Sequence, residues 1–286
     1  MYMDPAFGKA LKAFTRRLPD ALTLLRQTVA GAHERCAAFN DECSACRALL
    51  LAHLRAENGQ KDPFAVFPPH IQNWAPELDA AQLDEFLVQH LLLERLFLCA
   101  FPDALRHNRM SREVAKVLLA LEESGFDRGV FLSSLDPYYL PAEQVFSSCD
   151  GRDERQQFIS TFCEQFITAY DRAQAEEFSV IYTPQEIVLY MRERVEQELN
   201  REFGASLSSP GVPILDPCCG VGTYPASVLA RIGREMLVYK YRHELFAIEI
   251  MFLPAYIARL NIEQTFVDLL GWYLPFPGLR YASALS

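Results

Sequence analysis

The stretch that decides the fold runs from Ile214 to Thr223 and reads ILDPCCGVGT. A short apolar run meets an acid at Asp216, and two glycines then stand one residue apart at Gly220 and Gly222. Because glycine has no Cβ, its backbone can take a positive φ and a ligand can lie directly against it. Thr223 stands at the expected start of a helix, whose first N–H groups can bind an anion. The stretch therefore predicts a strand, a ligand-binding turn and a helix.

The segments on either side of this stretch complete a βαβ unit. Apolar spacing predicts a strand over 212–216, a helix over 224–232, a second strand over 245–250 and a helix over 253–262. A strand, a helix and a second strand in this order form a parallel sheet. Pro184 suits the first turn of a further helix that runs to about residue 203, and the tail over 274–286 shows no clear element of its own.

The residues before this unit have a helical pattern. Apolar residues recur every three or four positions over 5–60, 81–101, 111–124 and 152–178, with a proline-rich loop over 62–80. The alternation typical of strands is not found in the first 180 residues. The sequence therefore predicts an N-terminal all-α domain, residues 1–150, followed by an α/β domain, residues 151–286.

Composition favours a reduced, cytoplasmic protein. Half of the 286 residues are apolar, which suffices for one large or two modest cores. Eight cysteines are too few for a disulfide scaffold, no secretion signal opens the sequence, and no apolar run is long enough to cross a membrane. The net charge of −10 is unlike that of a free-standing nucleic-acid binder, although an enzyme needs a basic surface only where it contacts the nucleic acid.

Two classes of ligand fit a glycine turn after a strand. Dinucleotides use a third glycine, but that position is Pro225 here, and Asp216 would repel a diphosphate. An acid instead suits the ammonium group of S-adenosyl-L-methionine. Glu249 stands at the end of the second strand, where a carboxylate can accept the ribose hydroxyls. The charges favour S-adenosyl-L-methionine, while an ordinary βα turn and a solvated Glu249 stay open as alternatives.

Three segments carry a resemblance to a known family. The segments over 162–170, 182–188 and 216–224 resemble the N6-adenine DNA methyltransferases of the type ISP restriction–modification group and its relatives. Residues 182–188 are similar to motif X of that family, residues 216–224 to motif I and residues 243–261 to motif II, an order that implies the gamma class. The resemblance implies that these residues bind the cofactor: Tyr182, Thr183, Asp216, Pro217, Gly220, Gly222, Thr223 and Glu249.

The resemblance also implies a fold and an activity. The α/β domain is expected to be a partial Rossmann-like methyltransferase core, and the chain is expected to belong to a DNA adenine-N6 methyltransferase of a restriction–modification system, with DNA as its partner. The catalytic tetrapeptide of that family, Asn/Asp-Pro-Pro-Tyr/Phe, holds the flipped adenine, and it does not occur among the 286 residues. We therefore assign no catalytic residue and expect the chain alone to be inactive.

Other interpretations stay open at this point. The chain could be a non-catalytic subunit that complements a second chain carrying the tetrapeptide, or a methyltransferase for RNA or protein. The segment Asp136-Pro137-Tyr138-Tyr139 is similar to the tetrapeptide but lacks its second proline, and is expected to be a turn. Cys43 and Cys46 have the spacing of zinc ligands, with Cys36 nearby. Because the segment has a helical pattern and free cysteines pack well as small apolar residues, no metal site is predicted.

Overall fold

The computed structural model describes residues 80–123 and 127–284 of the chain. Contacts between Cα atoms divide the chain into two units, residues 1–78 and residues 79–286, and the described residues belong to the second. The predicted helical region over 5–60 and the Cys36/Cys43/Cys46 cluster lie outside the described residues. The predicted boundary between residues 150 and 151 falls inside the second unit.

Seven helices occupy the first part of the described chain. The predicted helices over 81–101 and 111–124 are confirmed, and the prediction over 152–178 corresponds to a pair of helices. Three further helices were not predicted. The bounds are α1 Ala80–Ala100, α2 Pro102–His107, α3 Arg109–Glu123, α4 Arg128–Ser134, α5 Asp136–Ser147, α6 Arg152–Tyr170 and α7 Arg172–Glu177.

The predicted turn at Asp136 is wrong, because this segment begins helix α5. Pro137 stands in the first turn, where a missing N–H costs nothing. Tyr139 is buried, and its hydroxyl donates to the carbonyl of Leu92 in helix α1. Helix α5 therefore uses this segment to pack against α1.

The second part of the chain contains the predicted βαβ unit. Its elements are α8 Gln185–Phe203, β1 Ile214–Asp216, α9 Thr223–Leu229, α10 Arg234–His243, β2 Leu245–Glu249, α11 Phe252–Leu270 and β3 Leu279–Tyr281. The expectation of no element over 274–286 is wrong, since β3 pairs with β2 in parallel. Arg259 of α11 stabilises this strand by donating to the carbonyls of Phe276 at 2.5 Å and of Leu279 at 3.2 Å.

The described strands form a parallel three-stranded sheet in the order β1-β2-β3. Helix α11 is buried along most of its length and contacts β2 and β3 as well as α1 and α2. The helices before residue 150 therefore share a core with the sheet. The described chain is mostly helical with a small parallel sheet, and a Rossmann-like methyltransferase core stays a prediction.

Candidate functional site

A cavity of about 350 Å³ lies at the carboxyl ends of the three strands. Four segments form most of its wall: residues 178–183 before α8, the turn after β1 with the first residues of α9, residues 249–251 at the end of β2, and residues 282–284 after β3. Loops at this edge of a parallel sheet are the usual place for a ligand site. The register of the sheet therefore brings the segments quoted from the sequence to one place.

The two glycines of the turn are both required by its geometry, for different reasons. Gly220 has a φ of +54°, and a Cβ there would lie 2.7 Å from Cε1 of Tyr182. Gly222 has a φ of +81°, and a Cβ there would lie 3.0 Å from the Cα atom of Ala258 in helix α11. The absence of a side chain at Gly220 thus lets the turn contact the ring of Tyr182. Its absence at Gly222 lets the turn pack against helix α11.

Asp216 ends strand β1 with one carboxylate oxygen engaged and the other without a partner. Its Oδ1 atom accepts the N–H of Cys218 at 3.2 Å. Its Oδ2 atom is buried and has no hydrogen-bond partner among the described residues. Burial raises the pKa of Asp216 above its ordinary value. Since a buried carboxylate oxygen without a donor is costly, this position favours a ligand that supplies one.

Glu249 ties the glycine turn to strand β2. Its Oε2 atom accepts the N–H of Gly220 at 2.9 Å, and its Oε1 atom accepts the N–H of Met251 at 2.8 Å. Burial raises the pKa of Glu249, and the nearby charge of Asp216 raises it further, although the backbone N–H groups lower it. A carboxylate has about four acceptor positions. Glu249 can therefore hold the turn and still accept a donor from a ligand.

The electrostatics of the cavity are acidic. Among the described residues that line it, none is a lysine, arginine or histidine. The negative charge of Asp216 raises the pKa values of its neighbours Cys219 and Glu249, after burial as the main cause. A cationic group is therefore favoured here and a pyrophosphate is disfavoured.

Tyr182 forms the part of the cavity wall that contacts the turn at Gly220. Its backbone N–H donates to Oε2 of Glu164 at 2.8 Å, and its ring lies against Gly220. The phenol oxygen is buried without a hydrogen-bond partner among the described residues, and burial raises its pKa well above the ordinary value. Thr183 follows on the same wall.

Six of the eight residues predicted to bind a cofactor line the cavity: Tyr182, Thr183, Pro217, Gly220, Thr223 and Glu249. Asp216 and Gly222 lie behind this lining, within the same turn. The structure brings all eight together, and their role in cofactor binding stays a prediction. The sequence did not predict that residues 178–181, 250–251 and 282–284 line the cavity. These residues lie next to short helices or strands and contain no charged motif.

The described residues lack two further features, a cluster of metal ligands and a membrane-spanning helix. No group of three or more His, Cys, Asp or Glu side chains is placed to hold a metal ion among residues 80–123 and 127–284. In the same part of the chain, no helix combines the length and the apolar character that crossing a membrane requires.

Comparisons with known proteins gave matches among solved structures. No family model and no curated protein matches the chain. The DrdV–DNA complex solved by cryo-electron microscopy is 28% identical over 99% of this chain, with a TM-score of 0.72. The ATP-dependent type ISP restriction–modification enzyme LlaBIII bound to DNA is 27% identical over 80% of this chain, with a TM-score of 0.58. A nuclease-deletion mutant of the type ISP enzyme LlaGI, in complex with a DNA substrate mimic, is 27% identical over 84%, with a TM-score of 0.57.

The matched proteins are much longer than this chain. The chain spans 26% of the DrdV chain, 16% of the LlaBIII chain and 20% of the LlaGI chain. The likeness covers most of this sequence at an identity that goes beyond a shared fold alone. These matches support a relationship between the chain and restriction–modification enzymes.

Proposed function

We propose that the cavity binds S-adenosyl-L-methionine, and that the chain supplies the cofactor-binding part of a DNA adenine-N6 methyltransferase of the restriction–modification type. The observation that carries this proposal is the acidic cavity at the strand ends, where Asp216 and Glu249 flank a glycine turn and no basic residue lines the wall among the described residues. A dinucleotide would bring its pyrophosphate to this turn, against both carboxylates.

The residues present fit the proposed cofactor group by group. The buried Oδ2 atom of Asp216 lacks a donor, and an ammonium group supplies one with the matching charge. Gly220 lines the cavity with bare backbone, and the ring of Tyr182 fills the space that a side chain there would take. Glu249 keeps acceptor capacity for a ribose hydroxyl, and the phenol of Tyr182 offers a further buried polar group.

The proposal assigns a binding step to these residues. When bound, the cofactor supplies an activated methyl group on a sulfonium centre. Asp216, Glu249 and the Gly220 backbone would hold and orient it. The tetrapeptide that holds a flipped adenine in the resembled family does not occur in the sequence. Tyr139 of the similar segment is buried in a helix and is not available to stack on a base.

DNA is the partner that the comparisons support best. The three structures described above are each complexes with DNA or a DNA mimic. We extend this partner to the present chain as part of the proposal. The net charge of −10 means that the contacting surface must be local.

Calorimetric titration with S-adenosyl-L-methionine tests the proposal. We expect binding at micromolar concentration that weakens about a hundredfold in Asp216→Ala, since a charged hydrogen bond is lost. Asp150→Ala is the matched control, because Asp150 is exposed and lies outside the cavity. Binding of NAD in preference to S-adenosyl-L-methionine, or no binding by a folded chain, would overturn the proposal.

A second candidate function is that of a non-catalytic subunit that complements a chain carrying the tetrapeptide. Leu215 and Phe246 are paired in register on one face of the sheet, and they are 57% and 40% exposed. Parallel sheets are normally covered on both faces, so this face favours a further polypeptide. Co-expression with such a chain should restore DNA methylation, and Phe246→Asp should abolish it. Methylation by the 286-residue chain alone would exclude this role.

A further inference from the structure

Helix α6 carries a row of polar side chains toward the cavity without lining it. Gln156, Ser160 and Glu164 are four residues apart, so they share one face of the helix. Gln156 and Ser160 are buried at 4% and 2% exposure. Burying polar groups is unfavourable unless each is hydrogen-bonded. Each of the three makes a hydrogen bond to another segment of the chain, and these bonds lead to the cavity wall.

Gln156 and Ser160 reach the glycine turn and the helix that follows it. The amide of Gln156 exchanges two hydrogen bonds with the amide of Asn261, at 2.6 and 2.8 Å. The Nδ2 atom of Asn261 also donates to the carbonyl of Val221 at 3.0 Å, inside the turn. The hydroxyl of Ser160 lies 2.7 Å from that of Thr223, which begins helix α9. Gln156, through Asn261, and Ser160 therefore hold the glycine turn on the side away from the cavity.

Glu164 reaches the part of the wall that Tyr182 forms. Its Oε2 atom accepts the backbone N–H of Tyr182 at 2.8 Å. The ring of Tyr182 in turn lies against Gly220. A hydrogen bond to a carboxylate is stronger than one between neutral groups. The position of the aromatic wall relative to the turn therefore depends on a helix that does not line the cavity.

We infer that the row on helix α6 sets the shape of the cavity, with Glu164 as the positioning residue for the wall formed by Tyr182. The inference rests on the proposed function for its ligand, S-adenosyl-L-methionine. Affinity depends on how well a site is held in its binding geometry before the ligand arrives. Loss of the Glu164 acceptor would release the wall and lower the affinity, although Glu164 itself does not line the cavity.

The test compares three variants for cofactor affinity by calorimetry and for melting temperature. We expect Glu164→Ala to weaken binding about tenfold, as the loss of one charged hydrogen bond predicts. Glu164→Gln keeps an acceptor oxygen and should restore most of the affinity. Glu154→Ala is the matched control: Glu154 lies on the same helix and accepts the backbone N–H of Asp150 at 3.0 Å, away from the cavity. Equal affinities in Glu164→Ala and Glu154→Ala would overturn the inference.

A further measurement needs no cofactor. The thiols of Cys163 and Cys219 lie close enough to the Tyr182 phenol to raise its pKa, and both are buried. If Glu164→Ala releases the wall, alkylation of these thiols by iodoacetamide should accelerate severalfold, as located by peptide mass spectrometry. Glu164→Gln and Glu154→Ala should leave the rates unchanged. Unchanged alkylation rates in Glu164→Ala would contradict the inference even if the wild type binds no cofactor. If the wild type binds no cofactor but alkylation of Glu164→Ala is accelerated, only the proposed function is contradicted.

Discussion

Two carboxylates, the buried Glu263 and the partly buried Asp216, have opposite surroundings. Glu263 on helix α11 accepts from Asn108 at 2.8 Å, from Tyr273 at 3.0 Å and from the N–H of Phe276 at 3.0 Å. Asp216 at the end of β1 accepts from the N–H of Cys218 at 3.2 Å, and its other oxygen has no partner among the described residues. The first carboxylate is satisfied by the protein, while the second leaves an acceptor for something else. The difference separates a group that stabilises the fold from one suited to a ligand.

Removal of the satisfied carboxylate should give the largest effect on stability. Glu263→Ala would leave the buried amide of Asn108 and the partly buried hydroxyl of Tyr273 without an acceptor, and it would remove the bond that holds the segment before β3. We expect the free energy of unfolding to fall by about 3–5 kcal/mol. Urea denaturation measures this change. Glu193→Ala is the control, because Glu193 is exposed on helix α8. Similar losses of stability in both variants would contradict the role of Glu263 in stabilising the fold.

Removal of the unsatisfied carboxylate should affect stability far less. In Asp216→Asn the charge is lost from a site where burial disfavours it. The free energy of unfolding should therefore stay the same or rise, while affinity for S-adenosyl-L-methionine falls about a hundredfold. Urea denaturation and calorimetry on the same preparation check both parts. A loss of stability as large as that of Glu263→Ala would show that Asp216, like Glu263, stabilises the fold.

Alanine substitutions at two glycines with positive φ should have smaller effects on stability. They separate the backbone cost of such a position from the close contact made by the glycine turn. Gly220 has a φ of +54° and a Cβ there would meet Tyr182, whereas Gly204 has a φ of +61° and a Cβ there would have no atom within 4 Å. Alanine at Gly204 should cost about 1–2 kcal/mol from the left-handed backbone alone. Alanine at Gly220 should cost more and also lower cofactor affinity. Equal melting temperatures in the two variants would contradict the close approach of the turn to Tyr182.

The smallest expected effect is a dependence on pH. The pKa of folded Asp216 lies above its ordinary value of 3.8, so the folded chain retains a proton that the unfolded chain has released. The contribution of Asp216 to stability is therefore present below pH 3.8 and is lost as pH rises through the raised pKa. As pH rises, the wild type should therefore lose stability relative to Asp216→Asn. Urea denaturation of both proteins at several pH values measures this difference in the free energy of unfolding. Affinity for a cationic ligand should increase over the same range, and the reverse trend would contradict the assignment.

The part of the site that could be predicted from the sequence is the part built from local signals. The strand, the acid and the two glycines stand within ten residues of each other, and the turn they form is largely determined by backbone geometry at Gly220 and Gly222. The parallel pairing of β1 with β2 also followed from the order of the elements. These features depend on short-range sterics and on periodicity, which a single sequence displays.

The rest depends on contacts between distant segments. Strand β3 has three residues, too few for a periodic pattern, and it is held by Arg259 from helix α11. The bond between Glu164 and Tyr182 joins residues 18 positions apart, and the pair of Gln156 and Asn261 joins residues 105 positions apart. Helix α5 was missed because the pair Asp136-Pro137 suggested a turn, although packing of Tyr139 against helix α1 stabilises the helix.

Hydrogen–deuterium exchange of the chain with and without S-adenosyl-L-methionine tests the central claim most directly. We predict slower exchange with the cofactor in residues 178–183, in the turn from Asp216 to Tyr224 and in residues 249–251, with little change around Glu263. Asp216→Asn should abolish the protection at the same ligand concentration. Protection confined to other segments, or the absence of any change at a ligand concentration where a folded chain is saturated by calorimetry, would contradict the assignment of this cavity as the cofactor site.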